Sequence, residues 1–158
     1  MNVYRPILIG LVLLAAMGCS GPTVEREGTR SGDPVVEMLH RGILELDRNI
    51  DELNRHIVEL QQMPPVSDPR VHELRALDLS GWQLHQQQWI LQREHLKFSV
   101  NQIQRVQANP REKPAIWTQW TNRQQEFVTA LDDLRTQRQT LERKRLEVES
   151  QVLGQYFK

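Results

Sequence analysis

Cysteine is almost missing from this chain: Cys19 is the only one in 158 residues, so no disulfide can form within it. Glycine is scarce beyond residue 32, where only Gly42, Gly81 and Gly154 occur, and a hairpin-rich β fold would lack its turn formers. Charge of one sign is not in excess, with 20 basic and 20 acidic residues, so the basic footprint that nucleic-acid binding rests on is absent. No apolar run reaches the roughly 20 residues of a membrane-spanning helix. The longest, Ile7 to Met17, has eleven. The five histidines, at 40, 56, 72, 85 and 95, never stand three or four apart and have no neighbouring cysteine, so no metal-ligand spacing is formed. No local pattern pairs a nucleophile with a base, and the composition points to a non-enzymatic protein without a small-molecule substrate or a bound cofactor.

What is present is helical periodicity. Between residues 33 and 158 the prolines at 64, 65, 69, 110 and 114 fall between periodic segments and never inside them, as expected where proline ends each helix. Asp33-Pro34 and Asp68-Pro69 each place a capping carboxylate before a proline whose missing N–H is harmless at the first helical position. The spacing predicts helices over about 34–63, 69–108 and 114–153. The first carries Val36, Leu39, Ile43, Leu46, Ile50, Leu53, Ile57 and Leu60 in unbroken steps of three and four. This is a heptad seam with β-branched residues alternating with leucine, suited to a partner helix in another chain or in this one.

The second helix has two apolar stripes instead of one. Trp82, Trp89, Leu96 and Ile103 repeat every seven residues, as do Leu77, Leu84, Leu91 and Phe98. At 100° per residue the stripes lie roughly 140–160° apart, which marks a middle helix covered on two sides. Ser80-Gly81 is the expected site of a kink or break, and the glutamines between Gln83 and Gln92 read as a neutral helical surface. The third helix steps through Trp117, Trp120, Gln124, Phe127, Leu131, Leu134, Arg138, Leu141, Arg145, Val148 and Val152. Its polar members, Gln124, Arg138 and Arg145, imply a loosened core or long side chains reaching past it to water.

Three such segments joined by short proline linkers predict an all-α fold, an elongated antiparallel three-helix bundle with coiled-coil-like seams. If the first helix shares its far end with the start of the second, Phe98, Ile103, Trp117 and Trp120 form an apolar overhang at the opposite end. There they would close on themselves, meet a second copy or touch lipid headgroups.

The N-terminus carries its own chemistry. Met1 to Arg5 is a short start with one positive charge, the apolar run follows, and Ala15-Ala16-Met17-Gly18-Cys19 closes it, the layout of an export signal. These residues resemble the lipobox of bacterial lipoproteins. The resemblance implies a signal peptide over 1–18, cleavage between Gly18 and Cys19, and a covalent lipid on the Cys19 sulfur, with palmitate-type acyl chains holding the chain on a membrane. At about 0.8 kcal/mol per buried CH₂, two or three such chains make a stable anchor. Ser20, where an aspartate would imply inner-membrane retention, implies the periplasmic face of the outer membrane. Loss of Arg5 with the leader leaves 19 basic residues against 20 acidic ones. From 19 to 32 the only apolar side chain besides Cys19 itself is Val24, which predicts a tether between the anchor and a helical domain over 33–158.

The partners expected are a membrane, through the lipid, and a protein or a second copy of the chain, through a helix face. A chaperone-like binder of unfolded or lipidated clients is an alternative that would use the tryptophans. In its terminal Lys158 alone, the chain is similar to the murein lipoprotein family, which would imply a covalent link from Lys158 to peptidoglycan.

Overall fold

The computed structural model describes residues 32–156, and the expected export signal, Gly18, Cys19 and Lys158 lie outside them. Three helices follow in order: α1 over Pro34–Gln62, α2 over Pro69–Ala108 and α3 over Lys113–Tyr156. A 3₁₀ turn at Pro110–Glu112 joins the last two. No strand occurs among the described residues. The helices have 29, 40 and 44 residues, hence lengths of about 44, 60 and 66 Å.

The two aspartate–proline pairs start their helices as the sequence implies. Asp33 accepts a hydrogen bond from the Val35 N–H at 2.8 Å, and Asp68 accepts one from the Arg70 N–H at 2.9 Å. Each carboxylate thereby satisfies one of the N–H groups that a helix start leaves without an internal partner. α2 runs unbroken through Ser80-Gly81, so the expected kink does not interrupt the helix. Ser80 turns its hydroxyl back onto the Ala76 carbonyl at 2.8 Å. At Gly81 a Cβ would stand 3.4 Å from the Leu141 side chain of α3, an ordinary van der Waals separation.

Cross-helix contacts fix both directions and both registers. α1 and α2 are antiparallel, with Asp33 bonded to Gln107, Asp47 to Arg93 at 3.0 Å, and Asn54 to Gln86. α2 and α3 are antiparallel too, through Arg70 to Gln151, Glu73 to Lys144 and Asp78 to Arg145. No Cα of α1 lies within 8 Å of a Cα of α3. The bundle is therefore built on α2, which carries an interface on each side, as two stripes set so far apart around one helix require.

The register also moves the overhang. The Asp33–Gln107 bond sets the start of α1 beside the last turn of α2, so the end where Phe98, Ile103, Trp117 and Trp120 were expected to project is covered. The linker after α1 folds back along α2, where Arg75 bonds the Pro64 carbonyl at 2.5 Å. Six linker residues are enough to let α1 stop short of the first turns of α2, and those turns meet α3 instead.

Candidate functional site

The seam of α1 is used within the chain. Leu39, Ile50, Leu53 and Ile57 are buried, and Val36, Ile43, Leu46 and Leu60 are half-buried. Leu39 is only 1% exposed. The candidate interaction seam is thus already occupied by α2, the intramolecular pairing that its weakly charged flanks left open.

The two stripes of α2 divide as their angular separation demands. Trp82 meets His56 of α1, and Leu96 lies against Gly42 of α1. On the other side Leu77 and Leu84 form the floor of a shallow groove with Leu141 of α3. Of the residues assigned to the overhang, Ile103 and Trp120 are buried, Phe98 is half-buried, and Trp117 alone stays 37% exposed. Trp117 stacks on Trp120 with ring centroids 5.5 Å apart.

Between the two apolar stripes lies a third line that the sequence reading passed over. Gly81, His85, Gln88, Gln92, His95, Ser99 and Gln102 step by four and three without a fault, and none of them is exposed. They occupy the narrower side of α2 between its two docked neighbours, a position that half-buries or buries any residue whatever its polarity. The glutamines read as one neutral surface therefore split. Gln83 and Gln87 are exposed, whereas Gln86, Gln88 and Gln92 are half-buried. The signal was available in the three-and-four stepping, which holds for polar residues as well as apolar ones.

The two histidines of this polar seam have different surroundings. His95 is buried, and its ring stacks on Phe127 of α3 with centroids 4.1 Å apart and planes 9° from parallel. Its Nδ1, the Gln124 Oε1 and the Trp120 Nε1 are buried without a hydrogen-bond partner. Burial and the nearby Arg123 guanidinium push the His95 pKa down. Gln124 approaches the ring closely enough to offset part of that shift, though not in hydrogen-bond geometry at Nδ1. His85 stands in an aromatic row, with Trp82 on one side at 6.3 Å and Trp89 on the other at 4.3 Å. His56 of α1 meets the Trp82 ring edge-on at 4.8 Å. Burial, followed by Arg138 of α3, lowers the His85 pKa.

The polar seam positions of α3 resolve individually. Arg145 reaches out of the interface to Asp78 at 2.6 Å and Glu149 at 3.3 Å, and Arg138 is exposed. Both follow the expectation that long side chains pass the core to reach water. Gln124 stays half-buried.

The outer surface is not uniformly polar. Trp117, Val128, Leu146 and Leu153 of α3 are all exposed, Leu146 by 57%. Their spacings of 11, 18 and 7 residues put them on one flank of the helix. Leu44 and Val58 are exposed on α1. Among the described residues no cluster of three or more histidines, carboxylates or cysteines could hold a metal ion, and no helix is long and apolar enough to cross a membrane. Comparison with protein-family profiles, with curated proteins and with solved structures gives no match to this chain.

Proposed function

We propose that the chain is a lipid-anchored, non-enzymatic interaction protein of the bacterial cell envelope, held on the periplasmic face of the outer membrane. In this reading its helical domain holds or recruits a protein partner through an outward helix face. The observation that carries the anchor is the run Ala16-Met17-Gly18-Cys19 closing an eleven-residue apolar segment, with the chain's single cysteine at the position where lipid would be attached. The exposed flank of α3 through Trp117, Val128, Leu146 and Leu153 supports an outward face over further use of the α1 seam, which α2 already covers.

The test is intact-mass and membrane-fractionation analysis of protein from its native host. The chain is expected to begin at Cys19, carry acyl chains and leave the membrane fraction when Cys19→Ser is introduced. An unacylated sulfur or an uncut leader would overturn the anchor. Crosslinking in envelope membranes should capture a partner through α3, and Leu146→Glu together with Leu153→Glu should abolish the capture.

A further inference from the structure

We propose that the α2–α3 interface is an acid-sensitive latch: proton uptake by His85 and His95, both seated on the polar seam of α2, loosens α3 from α2. The geometry comes first. His95 is buried in the interface against Phe127 of α3, and His85, half-buried on the same seam, stands between Trp82 and Trp89 of its own helix. Each is also opposed by an arginine of α3, Arg123 for His95 and Arg138 for His85. A positive ring at either place would lose water and gain a like charge as neighbour, and both effects disfavour the closed arrangement.

The carboxylates around the two rings already have partners: on α3 Glu126 holds Arg123 at 2.8 Å. Around His95, α3 presents Arg123 and Gln124, and the only charge that shifts its pKa is Arg123. The charged neighbours on α2 itself are already engaged, Arg93 with Asp47 of α1 and with Glu94, and Lys97 with Glu94. Around His85, α3 presents Arg138, and α1 brings the His56 ring across Trp82, with Glu59 3.7 Å from that ring. Further along the interface the carboxylates Asp78 and Glu149 are engaged by Arg145.

The sign follows from the lowered values. In a loosened interface the rings return toward the ordinary histidine pKa of about 6.5. Below that pH the open form therefore binds more protons than the closed one, and closure weakens as pH falls. Above it both forms are neutral at these rings and the latch holds. His95 contributes the larger part, since it is the more buried of the two. Opening would uncover the apolar residues that α3 now buries, Ile116, Trp120 and Val148. None of this depends on where the chain resides.

Hydrogen exchange of the full chain at about pH 7.5 and about pH 5, scaled for intrinsic exchange, reads the latch directly. Amides of α3 should lose protection by about tenfold or more at the lower pH, while those of α1 change by less than about threefold. The double variant His85→Gln, His95→Gln should hold its α3 protection at both values. Histidine ring proton titration of the unaltered chain covers the case in which that variant does not fold. His85 and His95 should take up protons in step with the loss of protection. Unchanged α3 protection, titration of both rings without it, or a wild-type response in the double variant would each overturn the proposal.

Discussion

His95 shows how much a single side chain can be worth in an otherwise apolar contact. A buried polar atom without a partner carries its desolvation penalty uncompensated, and here His95 Nδ1, Gln124 Oε1 and Trp120 Nε1 are all in that state. Replacing the first two together, as His95→Phe with Gln124→Leu, removes two of these atoms and keeps a ring stacked on Phe127. The double variant should be more stable by about 1–3 kcal/mol, read as a higher urea midpoint with an unchanged slope. Leu39 lies at the opposite extreme, 1% exposed within a regular seam. The charged pair Arg145–Asp78 matters less than its 2.6 Å separation suggests. Both side chains are more than a third exposed, and ion pairs open to water contribute little.

At the level of the helices, caps and close approaches explain where each begins and how near its neighbour comes. The glycines test this. At Gly81 an added methyl would stand 3.4 Å from Leu141, and at Gly42 it would stand 3.2 Å from Leu96. The first is an ordinary contact and the second is tight, although Leu96 meets it with the end of a flexible side chain. Gly81→Ala should therefore gain most of the roughly 1 kcal/mol by which alanine exceeds glycine in a helix interior. Gly42→Ala should gain clearly less, and thermal melts followed by circular dichroism would separate the two. The three helices and their caps were legible because capping aspartates, prolines and heptad steps are local signals. The short fold-back of the linker was not, because the Arg75–Pro64 contact that marks it joins residues with no shared periodicity.

For the molecule as a whole, the decisive fact is that the backbones of α1 and α3 each come close to α2, while no Cα of one lies within 8 Å of a Cα of the other. Damage to α1 should then reach α3 chiefly through α2. Introducing Ile50→Asp and Leu53→Asp puts two charges into the buried seam of α1. Losing even one core side chain costs about 2–5 kcal/mol, so α1 should melt. Sedimentation should show a monomer before and after the change, and hydrogen exchange should show α1 losing protection ahead of α3. A dimer that dissociates without loss of helix would instead mean that the seam joins two chains.

The sequence by itself determined the three helices and the two opposite apolar faces of α2, which are written in residue spacing along one helix, and the helices' antiparallel order, which follows from the short linkers. It also supplies the whole basis for an anchor at Cys19, which lies outside the described residues. Only the tertiary structure decided the register of α1 on α2, and with it the covering of Ile103 and Trp120. It alone turned a stripe of glutamine, histidine and serine into a buried seam. Spacing tells which residues share a face, but burial depends on which neighbours close over that face, and their position is set by packing between distant parts of the chain.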